Sequence, residues 1–216
     1  LGNIQDNFEE QKFKDLKIEK IEELEKYILN KLFMLDESIQ YNLKNYNFHK
    51  MYKDLSNFCS LDLSSFYFDI RKDVLYCDDI NSKKRKECII VLNIILDCLL
   101  KWFAPIFVFT TEEIYKLINK KEESIHQLNF ASIPDLWKNV NLDNKWKDLY
   151  RVKQIANIAI EEKRTSKEIG SSLEADIEIY LNKKTHEFLN SLDLSEYFIT
   201  SKAVRKINED QKEDII

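Results

Sequence analysis

Glycine and proline are nearly missing: the 216 residues hold two of each, where globular chains carry roughly 7% and 5%. These residues supply most tight turns and the phosphate-cradling loops of nucleotide enzymes. Their scarcity excludes a G-x-x-x-x-G-K-[ST] loop, a G-x-G-x-x-G turn and a G-x-S-x-G elbow, and it points to long helices. No run of 18 uncharged apolar residues occurs, and the opening LGNIQDNFEE lacks the basic-then-apolar layout of a signal peptide. A soluble, cytoplasmic chain with no membrane partner is expected. Cys59, Cys77, Cys88 and Cys98 include no C-x-x-C pair and read as small buried apolar residues or free thiols. His49, His126 and His186 lie far apart, without metal-ligand spacing. Neither a metal site, a resident cofactor nor a catalytic centre is expected in this chain. Positive charge is short as well: 33 Lys and Arg face 38 Asp and Glu, a net charge of −5. No global field draws nucleic acid in, so any such contact must be local. The chain opens on Leu1 rather than methionine, and a piece of something longer is expected.

What is present is a 44% apolar content arranged at helical spacing, ample for a core. Ile18, Ile21, Leu24, Tyr27, Ile28, Leu32, Leu35 and Ile39 predict one amphipathic helix over residues 18–44. A second helix is expected to present Phe48, Met51, Tyr52, Leu55, Phe58 and Cys59 to the core. It runs into SLDLSS, where Asp62 or Ser64 is positioned to cap a kinked continuation. From Cys88 to Ala104 the apolar residues cover nearly the whole circumference, as in the central helix of a bundle, and Pro105 ends or bends it. Thr110 to Glu113 spells a capping box opening a short helix, EEIYKLI. Pro134 marks a boundary, giving a helical bundle over 1–134 and a small α+β piece over 135–216. In the second part Trp146, Leu149, Val152, Ile155, Ala156, Ala159 and Ile160 predict a long helix stopped by Gly170. ADIEIYL alternates as a strand, followed by a short helix near 185–192 and a second strand around 197–200. The fold class expected is mainly α.

Two aspartates in FYFDIRKDVLYCDD, Asp69 and Asp73, share one helix face at i and i+4 beside a nearly all-round apolar helix. They read either as an acid/base or Mg²⁺ pair or as carboxylates bonding a neighbouring helix, since an unpaired buried charge is costly. Lys83, Lys84, Arg85 and Lys86 crowd the first turn of a helix, against its dipole. Either a phosphate docks there or the turn is simply solvated. Lys163, Arg164 and Lys167 read as a solvated face and, secondarily, as another basic candidate. Arg71 and Lys72 complete the candidate surface. No stretch reads as an aromatic-basic RNA motif, which leaves a protein-interaction module without RNA contact as the alternative function.

Three segments, NYNFHKMYKDLSNFCSLDLSSFYFDIRKDVLYCD, KWFAPIFVFTTEEIY and RVKQIANIAIEEKR with IGSSLEADI, together resemble the anticodon-binding region of bacterial-type isoleucyl-tRNA synthetases. They stand in the right order over residues 20–180. Within them Phe66, Tyr67, Asp69, Asp73, Trp102, Pro105, Thr110 and Glu113 carry the motifs. The A-P-x-x-x-F-T-x-E-E box is shared by the isoleucine, valine and leucine enzymes of class Ia, whereas NFCS-x-DLSSFY-x-D with IG-x-SLEA points to the isoleucine member. Leu1, Gly2 and Asn3 look like the end of the family's R-F-L-L-G-N.

The resemblance implies a helical bundle that recognises the anticodon stem and loop of an isoleucine tRNA. It also implies a monomer whose ATP-dependent chemistry lies in N-terminal catalytic and editing domains carrying HIGH and KMSKS, neither of which is in this sequence. Tyr67, Tyr76 and Trp137 are candidates for stacking on bases if exposed. The chain departs from the family at Val74, where many relatives are basic, and at Tyr115, where tryptophan is common. It has no cysteine-rich zinc module at its end, and residues 181–216 match only loosely. ATP, and zinc where such a module exists, belong to the full-length enzyme.

Overall fold

A computed structural model describes residues 16–119 and 123–208; the expectation on Leu1, Gly2 and Asn3 lies outside them. The chain divides into two compact units, Leu1–Asn139 and Val140–Ile216. The fold is mainly α, with one two-stranded sheet among the described residues.

In the first unit, helix α1 spans Glu23–Lys44 and buries Leu24, Ile28, Leu32, Leu35 and Ile39, the i, i+3/i+4 row written in the sequence. Its first turn falls short of the expected start, and a 3₁₀ turn, Ile18–Lys20, precedes it. Helix α2, Phe48–Asn57, buries Met51 and Leu55 but leaves Phe48 and Tyr52 exposed, contrary to the expected apolar face. The Ser38 hydroxyl donates to Asp54 Oδ2 at 2.8 Å, strapping α1 to α2.

No loop follows α2, and no side chain caps a restart. The helix widens into a π-helical stretch, Phe58–Phe68, and continues as α3, Asp69–Cys77. Asp62 therefore lies inside a helix, 3.6 Å from Lys31 Nζ, and Ser64 is simply exposed there. Helix α4, Lys83–Phe103, brings Cys88, Val91, Ile94, Ile95, Cys98 and Trp102 to the centre.

After the turn through Pro105, α5 covers Val108–Ile118. It begins two residues before Thr110, so Thr110 and Glu113 form no capping box; both are exposed. The reciprocal box is instead at Ser124 and Gln127, around the 3₁₀ turn Ile125–Gln127. Glu112 fastens that turn to α5, accepting from Ser124 Oγ (2.8 Å) and Ile125 N (3.1 Å) beside Lys116 (2.9 Å). Those donors hold its carboxyl down at about 2, Lys116 contributing most. A further 3₁₀ turn, Asp135–Trp137, buries Trp137, and Asn139 N donates to Asn30 Oδ1 of α1 at 2.7 Å. The first unit thus runs past Pro134, the position expected as the boundary.

In the second unit, α6 spans Val140–Thr165 and buries Trp146, Leu149, Val152, Ala156 and Ile160, while Ile155 and Ala159 face outward. Strand β1, Asp176–Leu181, pairs in parallel with β2, Lys202–Ile207, Asp176 opposite Lys202 and Leu181 opposite Ile207. The crossover holds α7, Lys183–Phe188, and α8, Leu194–Phe198. The strand expected at 197–200 is therefore the end of a helix. Tyr197 and Phe198 are buried there, Tyr197 edge-on to Trp146 with ring centroids 5.3 Å apart.

Scarcity of glycine shows in how helices end. Tyr46, Lys167 and Ile199 adopt φ of 55°, 61° and 57°. Each closes a Schellman cap, with paired bonds such as Glu168 N to Lys163 O and Lys167 N to Arg164 O, each 3.0 Å. Glycine is the residue this position favours. The stop of α6 is thus Lys167 rather than Gly170. Gly170 has another use: its N–H donates to Glu174 Oε2 at 2.8 Å, and a Cβ would stand 3.0 Å from Glu174 Oε1.

Candidate nucleic-acid interface

The junction of α3 and α4 carries most of the sequence-derived candidates, and the structure sorts them. Arg71 has no exposed surface. Its Nε and Nη2 donate to the two carboxylate oxygens of Glu25 at 2.7 and 2.6 Å, and Nη2 also reaches Glu22 at 2.9 Å. The Tyr67 hydroxyl donates to Glu25 Oε1 at 3.2 Å and lies 3.4 Å from Cys88 Sγ. Burial pushes the Tyr67 phenol well up and the Cys88 thiol to about 11. Arg71 is consequently a scaffold cation tying α3 to α1, not a surface contact. Tyr67 and Trp137 are likewise core, and of the three stacking candidates Tyr76 alone is exposed.

The aspartates are the reverse of the expectation. Asp73 is exposed, and Asp69 bonds Lys72 of its own helix at 3.2 Å rather than a neighbouring one. Counting about 100° per residue from Phe66, Asp69 and Asp73 fall near 300° and 340°. Arg71 falls near 140°, between Tyr67 at about 100° and Leu75 at about 180°. The buried charge was thus marked by the wheel, at the arginine.

The basic run opening α4 does not face its helix dipole unaided. Ser82 caps the helix, accepting from Arg85 N at 3.4 Å and donating to Asp78 Oδ2 at 3.1 Å. Arg85 Nη1 donates to Asp78 O at 2.7 Å, and Lys86 Nζ to Asn81 Oδ1 at 3.2 Å. Lys84 stands 3.7 Å from Glu22 and Lys83 3.5 Å from Glu87, whose other carboxylate oxygen accepts from Glu22 N at 3.1 Å. Glu22, at the N-cap of α1, and Glu87 of α4 thus offset cations that would otherwise repel the helix N-terminus, while a carbonyl and an amide oxygen of the α3–α4 turn hold Arg85 and Lys86. Lys84 and Arg85 are half-buried, whereas Lys72, Lys83 and Lys86 are exposed, each with one near partner: Asp69, Glu87 and Asn81.

At the end of α6, in the second unit, Lys163 pairs with Glu168 and Arg164 with Glu161, each at 2.6 Å. Lys167 is exposed on the αL residue. Arg164 and Lys167, with Glu161, Glu168 and Glu174, line an open cleft of about 610 Å³ of mixed charge. Among the described residues no cluster of His, Cys, Asp and Glu has the makings of a metal site. The thiols are dispersed, with Cys88 and Cys98 buried, Cys59 half-buried and Cys77 exposed.

Comparison with known proteins gives a family match over residues 25–179, to the anticodon-binding domain of tRNA ligase. An isoleucine–tRNA ligase of Pelagibacter ubique is 51% identical over 212 residues, 98% of this chain and 23% of that protein. Isoleucine–tRNA ligases of Bartonella quintana and Agrobacterium fabrum are 41% and 39% identical over 83% and 93% of this chain, and 18% and 20% of theirs. The chain spans less than a quarter of each relative's length.

Proposed function

The chain belongs to the anticodon-binding domain family of tRNA ligases, and from that premise we propose that it recognises the anticodon stem and loop of an isoleucine tRNA as part of an isoleucine–tRNA ligase. One observation carries the reading: similarity to such a ligase across 98% of the chain. In this reading the chain is monomeric and works in the cytoplasm, joined to catalytic and editing domains. Those domains use ATP to attach isoleucine, and any zinc belongs to a module of the full-length enzyme. The chain alone has no catalytic centre and turns over no substrate.

Lys72, Lys83 and Lys86 are the cations best placed for phosphates, their acid contacts being loose at 3.2 Å for Lys72 and 3.5 Å for Lys83, with Lys163, Arg164 and Lys167 secondary because ion pairs of 2.6 Å hold Lys163 and Arg164. Lys84 and Arg85 act through the turn's geometry and Arg71 through the core. A gel shift with isoleucine tRNA tests this. Binding is expected at low salt and to weaken steeply as salt rises, because each phosphate neutralised releases counterions. Lys83→Glu with Lys86→Glu should weaken binding and flatten the salt slope by about 0.7–0.9 for each phosphate no longer neutralised. Unchanged affinity and slope would remove these lysines from the interface. No shift at any salt would favour a protein-interaction module.

A further inference from the structure

Residues 41–53 read YNLKNYNFHKMYK and contain three lysines, a histidine and no acid, in a chain of net charge −5. The four aromatics among them all reach solvent: Tyr41 is 67% exposed, Tyr46 81%, Phe48 57% and Tyr52 44%. Phe48 and Tyr52 sit at i and i+4 on α2, so they lie in one row along the helix. His49 and Lys53 form the adjacent row one residue on, both exposed. Tyr46 extends the aromatic row beyond the helix end, 6.3 Å from Phe48 and edge-on to it. It is held there by the αL cap of α1, at a position where glycine would be the low-energy choice. Phe107, from the turn between α4 and α5, closes the other end, 6.3 Å from Tyr52. Lys44, Lys53 and His49 have no partner among the described residues in any ion pair or side-chain hydrogen bond. No aromatic-basic RNA motif is visible in the sequence because helical spacing assigns Phe48 and Tyr52 to the core.

We infer that the row Tyr46, Phe48, Tyr52 and Phe107, flanked by Lys44, His49 and Lys53, is a stacking platform for unpaired nucleotides of RNA. Bases lie on the rings while the adjacent cations meet the phosphates. Charge argues for this occupant: an apolar protein partner has no use for a flanking row of unpaired cations, and a polyanion does. The inference rests on the reading that the chain binds tRNA and adds a site on α2 remote in sequence from the lysines of α4.

The test is fluorescence anisotropy of the 216-residue chain with two labelled RNAs, a hairpin of the anticodon stem and loop and a fully paired duplex of the same stem. Tyr46→Ala, Phe48→Ala and Tyr52→Ala are each expected to weaken hairpin binding about fivefold or more while leaving duplex binding unchanged. Tyr46→Phe should bind like the unaltered chain. Phe48→Trp guards against misfolded alanine variants. Trp102, Trp137 and Trp146 are all at most 2% exposed, so emission from a new tryptophan on α2 should stand out and be quenched by the hairpin.

If the unaltered chain binds the hairpin and the three alanine variants bind it equally well, the platform is wrong and the tRNA reading stands. If those variants instead abolish self-association on gel filtration, the surface docks a second copy and the inference is overturned. If the unaltered chain binds neither RNA, both readings fall.

Discussion

A guanidinium with no exposed surface is held only by its partners, and Arg71 has a bidentate carboxylate, Glu25, that is equally buried. Removing one partner strands the other, so Arg71→Ala should lower stability by about 3–5 kcal/mol in urea unfolding. Replacing Arg71 and Glu25 together with apolar residues should cost much less. The arginine was legible: its angle on the helical wheel lies inside the apolar arc. What composition cannot show is that its carboxylate comes from 46 residues away, and without that partner in view a charged residue is read as surface.

Glu112 offers a second test at this scale. Its carboxyl is held at about 2 rather than the ordinary 4.5. A depressed acid favours the folded state above its ordinary value and loses that contribution as pH falls through the folded one. The Ile125 amide resonance, reporting the bond it donates to Glu112, should titrate near pH 2. In Glu112→Gln that titration should vanish. Under native conditions an alkylating reagent should modify exposed Cys77 first and leave buried Cys88 and Cys98 protected.

At the scale of elements, helix existence followed from apolar spacing, and helix ends did not. Three ends are closed by Tyr46, Lys167 and Ile199 in the left-handed region. A side chain there costs roughly 1–2 kcal/mol, partly offset because glycine is freer in the unfolded chain. Lys167→Gly should therefore raise stability by about 0.5–1 kcal/mol, seen as a higher urea midpoint at unchanged m-value. The signal for a stop at Gly170 was genuine but misplaced. That glycine serves the close approach of Glu174, a contact invisible until the following turn is folded. The second strand was missed for a related reason. Tyr197 and Phe198 have strand-like composition, but they sit in a short helix capped by Asp193, whose Oδ1 accepts from Ser195 N at 3.0 Å.

At the scale of the molecule, the shortage of positive charge is reconciled with the proposed function by local placement. Acids are used internally, against Arg71 and the start of α4. Exposed cations remain at Lys72, Lys83 and Lys86, and along residues 41–53. Among the described residues no helix is long and apolar enough to cross a membrane. The family was legible from motif order along the chain. The division of roles among its basic residues was not, because burial depends on which helix packs where.

The most direct test of the account is competition binding of the 216-residue chain to isoleucine tRNA, against the same tRNA carrying a different anticodon. Changing those three unpaired bases should weaken binding at least about tenfold, because hydrogen bonds to the base edges, each good bidentate contact worth about 1–3 kcal/mol of discrimination, are lost even though stacking tolerates any base. Equal affinity for the two tRNAs would contradict the account.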